Sequence, residues 1–395
     1  MISQNGKYLS SLDHLRWLAA FLVFLWHSNS NFISGDFTSS LSIFNFFLEG
    51  HSGVSLFFCI SGFIFTYIGF GKKIDYFKFI KNRFLRIFPL IFFFLIFASL
   101  IGKVNKESGL FQFFNFLGAG APFAMWSLVV ELQIYFILPV IFSYLYNFNK
   151  KKILFFVIGI FIISFTMKFF FYAYENQFRA ISYWSVFGRI DQFIFGCIAG
   201  FIFKNYKIEI KELYKYGLLL FIILLLINFY SYFRILGGWS LINPKNIIWL
   251  FFPYFEGFLW SSLILIYCSI PPVSKLSLFS KLFSYLGTIS YSTYIIHIAY
   301  IHFYIWFYTN MINFNVSSSA MGLGNIFQNL IFTIQGIILK ILNIDTGLSL
   351  KQQAVDGGVF FTLFFAYPIL IFISSIFYEI LEKPFLSLRE KYLKN

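Results

Sequence analysis

Charge is what this sequence lacks. Asp, Glu, Lys and Arg make up 12% of its 395 residues, where a soluble domain carries roughly 25%. Acidic residues are the scarcer sign, 16 against 30 Lys and Arg. No polar stretch is long enough for a separate soluble domain, and the alternating polar and apolar strands of an outer-membrane barrel are absent. Cysteine is limited to Cys59, Cys197 and Cys268, all inside apolar runs. Their spacing predicts neither a metal site nor a disulfide framework. Internal repeats are missing too, which speaks against transporter folds built from inverted repeats.

Apolar length takes the place of charge. Hydrophobic residues reach 59%, with a mean hydropathy of +0.77. Runs of about 20 apolar residues recur from end to end, the length needed to cross a hydrocarbon core as helix. The chain therefore reads as an all-α, polytopic integral membrane bundle, one domain over residues 1–395. Ten spans are expected, at 14–32, 50–70, 87–102, 124–147, 153–173, 182–203, 214–233, 247–270, 284–308 and 358–381. The 62 Phe and 25 Tyr are read as membrane filler. The first run resembles a secretory signal in position only. It carries Asp13, Arg16 and His27 without a small-residue cleavage site, so it is expected to remain as a span.

Lys and Arg set the orientation. With the N-terminus inside, the inner segments hold 20 of the 30 and the outer loops hold seven. Both termini are therefore expected in the cytoplasm. The net charge of +14 becomes a topological signal, with anionic lipid rather than nucleic acid as its partner. The stretch 310–357 falls outside as a long loop. Within it, Met321-Gly-Leu-Gly precedes an amphipathic run through Ile341, read as an interfacial or re-entrant helix.

The rare polar residues inside these runs are the candidates for chemistry, because an ionisable group at membrane depth is costly. Arg16 and His27 are 11 residues apart on the first run, about three helical turns, so they share a face. The separation, roughly 16 Å along the axis, places a cation at one edge and an imidazole near the midplane. Neutral imidazole can accept a hydroxyl proton as a general base. Asp13 lies near the same face. His14 reads as a solvated edge residue, His51 as an outer residue able to receive an external substrate, and His297 as structural or supporting. Arg83 and Arg86, spaced i,i+3 in the basic segment before Pro89, can converge their guanidinium forks on phosphate. Glu131 needs a cation, a histidine or a water-filled cavity as partner. Asp191 is expected to pair with Arg189, and Glu379 and Glu382 to snorkel or to pair with Lys383. Gly196 and Gly200 form a Gly-x-x-x-Gly packing motif.

Six segments together resemble the membrane-bound acyltransferase family 3, the O-acetyltransferases of bacterial surface glycans. They are Leu12-Asp13-His-Leu-Arg16 through His27, Gly53 to Gly62-Phe, Arg83-Phe-Leu-Arg86, Trp126-Ser-Leu-Val-Val-Glu131, Leu286 to His297, and Leu381-Glu-Lys-Pro. Leu132 stands where the family's fourth-span motif often has a second Glu. The resemblance implies a bacterial inner-membrane enzyme with His27 as its essential histidine. It implies that Arg16, Arg83 and Arg86 serve a cytosolic acyl-CoA, and that Glu131 acts beside the acceptor. Asp13, His51, Trp126 and Tyr135 complete the candidate set as substrate-binding residues. Acetyl-CoA is then a co-substrate, with no permanently bound cofactor and no metal. The expected reaction moves an acetyl group to a hydroxyl of a cell-surface or lipid-linked glycan, with His27 either as general base or as transient acyl carrier. The alternative is an exporter of a glycan or lipid-linked intermediate, whose buried charges would line a path.

Overall fold

Helix formation follows the apolar runs closely. The computed structural model describes residues 8–32, 43–100, 125–176, 178–206, 209–271, 278–317 and 362–394. Beyond Ser317, the predicted outer loop at 310–357 lies outside the described residues. The helices are α1 (Ser10–Phe32), α2 (Ile43–Leu48), α3 (Ser52–Gly69), α4 (Tyr76–Leu100), α5 (Trp126–Leu145), α6 (Lys150–Tyr174) and α7 (Phe178–Trp184). They continue with α8 (Val186–Asn205), α9 (Glu212–Ile235), α10 (Ile248–Ser269), α11 (Leu278–Thr288), α12 (Ser290–Ser317), α13 (Tyr367–Phe377) and α14 (Lys383–Ser387). Six of them, α3, α5, α6, α8, α9 and α10, are long and apolar enough to cross a membrane by length and composition. The strands β1 (Lys73–Ile74) and β2 (Leu393–Lys394) form one antiparallel pair.

Two boundaries differ from the sequence reading. The basic stretch before Pro89 is not a loop: α4 starts at Tyr76 and runs through Pro89 to Leu100. It buries Phe79, Asn82 and Arg83 while leaving Phe77 and Lys81 exposed, so an amphipathic surface helix leads directly into the apolar run. The last run is edged by π-helical turns at Thr362–Ala366 and Tyr378–Glu382. Such turns shift side-chain register within a helix, and here the second turns Tyr378 and Glu382 toward the interior, where both are buried.

The centre of the bundle is α3, buried along most of its length. Its contact with α8 is set by the Gly-x-x-x-Gly motif. A Cβ on Gly196 would come within 2.1 Å of the Cys59 carbonyl oxygen, and one on Gly200 within 2.5 Å of the Phe63 carbonyl oxygen. Only glycine permits the two backbones to approach this closely.

Helix α6 is held differently. Only Ser164 and Lys168 are buried on it, and much of its apolar surface faces outward, as Phe155 and Ile163 do. Lys168 reaches into the bundle and pairs with Asp191 of α8, both fully buried. Its ammonium also lies 4.5 Å from the centre of the Tyr254 ring, and the Tyr254 hydroxyl donates to Ser164 Oγ at 3.3 Å. The expected Asp191–Arg189 pair is thus replaced. Residues two apart on a helix point to nearly opposite faces, and Arg189 turns instead to Glu256 on α10 at 3.6 Å.

Because removing one partner strands a buried charge, Lys168→Met is expected to cost about 3 kcal/mol in thermal unfolding of the detergent-solubilised protein. The double variant Lys168→Met with Asp191→Leu should recover most of that loss. Equal destabilisation of the single and double variants would show that the pair does not tether α6.

Candidate active site

The packing of α1, α3, α4, α5, α12 and the last helical segments leaves one cavity of about 640 Å³. Arg16, Arg83 and Arg86, the three arginines singled out in the sequence, all line it. So do Asp13, Glu131 and Tyr135. The cavity is electropositive. Its lining includes the five cationic side chains of Arg16, Arg83, Arg86, Lys383 and Arg389, against three acidic ones, Asp13, Glu131 and Glu382.

Each cation is set by its helix. Arg16 pairs at 2.5 Å with Asp13, three residues earlier on α1. Arg83 is nearly buried and enclosed by aromatic rings, with its guanidinium carbon 5.0 Å from the Phe65 ring centre, 5.4 Å from Phe79 and 5.8 Å from Tyr135. Its Nε has no hydrogen-bond partner, and among the described residues it makes no ion pair. Aromatic faces attract a desolvated guanidinium without neutralising it, so its charge stays available to a ligand. One helical turn on, Arg86 faces the same space. The acids are more fully engaged. Glu131 accepts from Ser61 Oγ at 2.9 Å and from the Tyr135 hydroxyl, which answers its need for a partner. Glu382 accepts from Ser292 Oγ at 2.9 Å, while Lys383 turns to Glu379 at 2.5 Å.

His27 does not line this cavity but neighbours it through Tyr294 and His297. Ser127 and Tyr294, both cavity residues, share a hydroxyl–hydroxyl hydrogen bond of 2.5 Å. The Tyr294 carbonyl oxygen accepts from His297 Nδ1 at 2.5 Å, and the His297 ring lies 5.1 Å from that of His27, centre to centre. His297 was read as supporting only, and the contact with His27 gives it a sharper place. With Nδ1–H donating to Tyr294, Nε2 carries the lone pair. That nitrogen is buried and makes no hydrogen bond.

His51 and Trp126 fall elsewhere, in a second buried polar network. His51 Nδ1 is bonded to the Tyr183 hydroxyl at 2.5 Å and Nε2 to Glu49 at 3.0 Å. Glu49 also pairs with Arg234 at 3.2 Å. Glu256 accepts from Ser55 at 2.6 Å, Gln192 at 2.7 Å and Tyr230 at 2.6 Å. Arg189 links the network to Trp126, lying 3.5 Å from the Tyr183 ring centre and 5.4 Å from that of Trp126. His14 is not a solvated edge residue: it is bonded to the Tyr267 hydroxyl at 2.7 Å and the Ser284 hydroxyl at 3.1 Å, joining α1 to α10 and α11. Sequence reading missed Glu49, Glu256 and Arg389. The first two carried a signal, as acids in or beside apolar runs; Arg389 was hidden in the cytoplasmic charge excess.

A bundle of apolar helices around a cavity lined by charged side chains, with two neighbouring imidazoles beside it, defines a multi-pass membrane protein with an internal site. Comparison with known sequences then gives the family. A family model described as an acyltransferase domain matches residues 9–342, and the chain belongs to this acyltransferase family 3. The O-acetyltransferase OatA of Staphylococcus aureus (strain NCTC 8325 / PS 47) is 24% identical over 53% of this chain and 37% of its own length. A protein of Staphylococcus aureus (strain COL) provisionally named an O-acetyltransferase is 26% identical over 77% of this chain and 52% of its own. The chain thus spans about a third to a half of the length of these curated relatives. No solved structure matches it.

A buried cation without an ionic partner lowers stability, and sites held for function commonly carry such a cost. Arg83→Met, which refills the aromatic cage, is therefore expected to leave stability unchanged or raise it by about 1 kcal/mol in thermal unfolding. A loss above about 2 kcal/mol would mean that Arg83 is held for stability rather than for a ligand.

Proposed function

We propose that this family member is a membrane O-acetyltransferase that takes acetyl from cytosolic acetyl-CoA and delivers it to a hydroxyl of a cell-surface or lipid-linked glycan. The observation that carries this reading is the gathering of Arg16, Arg83 and Arg86 in one cavity whose lining is cationic in excess. The phosphates of coenzyme A are the anions such a cavity suits, since guanidinium forks bind phosphate bidentately. We place the bundle in the bacterial inner membrane with ten spans and both termini cytoplasmic, as the Lys and Arg distribution favours. Tyr8, Arg389 and Tyr392, which line the cavity, then lie on the donor's side.

In this reading the thioester extends past Ser127 and Tyr294 toward His27. His27 takes the proton of the acceptor hydroxyl as the oxygen attacks the thioester carbon. The new C–O bond forms, the C–S bond breaks, and the sulfur leaves with its electron pair as the coenzyme A thiolate. His297 serves as a positioning residue. Its Nε2 lone pair could accept an N–H from His27 once the two rings, 5.1 Å apart between centres, turn into hydrogen-bond geometry, and this would fix the His27 tautomer. Orienting a catalytic imidazole in this way is worth several orders of magnitude where it has been measured in serine hydrolases. The acceptor comes from the opposite side, where His51 and Trp126 are the residues proposed to meet it.

Radiolabelled acetyl-CoA supplied to the purified protein with candidate glycans tests the reaction. His27→Ala is expected to abolish transfer without loss of thermal stability, and near-normal transfer would sink the assignment. His297→Ala should lower kcat at least about tenfold with little change in the KM for acetyl-CoA. Arg83→Ala with Arg86→Ala should do the reverse, raising that KM about tenfold or more; an unchanged KM would remove the phosphate role.

A further inference from the structure

The segment 389–394 is bound to the N-terminal end of α4 by specific contacts. Lys394 and Leu393 pair in antiparallel register with Lys73 and Ile74, and the Asp75 amide donates to the Tyr392 carbonyl oxygen at 2.8 Å. Asn82 of α4, buried, clamps the backbone of Glu390 from both sides. Its Nδ2 donates to the Glu390 carbonyl oxygen at 2.6 Å, and its Oδ1 accepts from the Glu390 amide at 2.9 Å. The side chain of Glu390 lies 2.5 Å from the ammonium of Lys81 and 3.6 Å from that of Lys78. Tyr392 is buried edge-on against Phe79, 5.2 Å between ring centres, and Phe79 is one wall of the Arg83 cage.

Here the ties fix one residue in particular. Arg389 immediately precedes the clamped Glu390, its Nε donates to the Leu386 carbonyl oxygen at 3.1 Å, and it lines the cavity beside Arg83 and Arg86. We propose that the docked tail completes the donor site, with Arg389 as a further guanidinium for the phosphates of coenzyme A and Asn82 as the residue that positions it. This rests on the donor reading given above. Burial first, and then the charges of Arg86 and Arg83, push Arg389 down to about 10. It therefore stays charged at neutral pH and lies within electrostatic reach of both neighbours. Gathering like charges is unfavourable without an anion to receive them, which is the state a polyphosphate ligand relieves.

Binding of coenzyme A to the purified full-length protein, by titration calorimetry, tests the proposal. Arg389→Ala should weaken Kd about tenfold or more, as loss of a charge-assisted contact does, and Arg389→Lys should recover part of it. Asn82→Ala should weaken binding similarly while Arg389 is intact. Lys391→Ala, on the same tail but exposed and away from the cavity lining, should bind as the unmodified protein does. In turnover, Arg389→Ala should raise the KM for acetyl-CoA with kcat little changed. Unaltered Kd in Arg389→Ala, while Arg83→Ala with Arg86→Ala loses affinity, would overturn the tail's role and leave the donor site standing. No coenzyme A binding by the unmodified protein would overturn the donor reading itself.

Discussion

Charge buried in an apolar bundle must be neutralised, and the way this chain meets that requirement divides its interior in two. In one half each buried cation meets a carboxylate. Lys168 meets Asp191, Arg189 meets Glu256 and Arg234 meets Glu49, with hydroxyls and amides occupying the remaining carboxylate lone pairs. These pairs join α6 to α8, α8 to α10, and α9 to the turn before α3, while Ser55 of α3 donates to Glu256; polar groups without partners would be costly here. In the other half the pairing is left open: the acids are occupied by hydroxyls or by Asp13's bond to Arg16, and cationic side chains outnumber acidic ones around an empty volume. The first half gives the fold its register. The second gathers more cationic than acidic side chains around one cavity.

The imidazole pair is joined to the open half through one short chain of bonds. Tyr294 makes the link with its two ends: its hydroxyl bonds to Ser127 and its backbone carbonyl oxygen accepts from His297 Nδ1, each at 2.5 Å, and the His297 ring lies 5.1 Å from that of His27. The proposed base therefore stands outside the cationic cavity. Under the proposed function, a donor held there by its phosphates would reach toward the imidazoles with its thioester, and its charged end would not need to enter the apolar interior. The same arrangement separates the groups that bind from the groups that react, so defects in each are expected to show in different kinetic constants.

Much of this was legible from local pattern. Apolar run lengths located the helices because hydrophobic length is nearly the whole signal in a membrane chain. The i,i+3 spacing brings Arg83 and Arg86 to one cavity because both sit on a single helix, where periodicity fixes direction; Arg16 and His27 also share one helix, but only Arg16 lines that cavity. What was not legible depends on contacts between distant elements. Asp191 could be read as a buried acid needing a cation, but only tertiary packing brings it Lys168, 23 residues away. His297 was visible as a histidine in an apolar run; its neighbour His27 comes from another helix. Arg389 looked like one more cytoplasmic charge until the tail was seen folded back on Asn82. The π-helical turn that aims Glu382 inward has no pattern that hydropathy reveals.

The central claim is that one bundle receives an anionic donor on the side of its termini and delivers acetyl to the other. Sealed vesicles containing the protein in a single orientation, loaded with glycan acceptor, test it directly when radiolabelled acetyl-CoA is added only to the outside. With the termini facing outward, the trapped acceptor should become labelled while acetyl-CoA itself stays out. Label appearing only when donor and acceptor share a compartment would contradict the account.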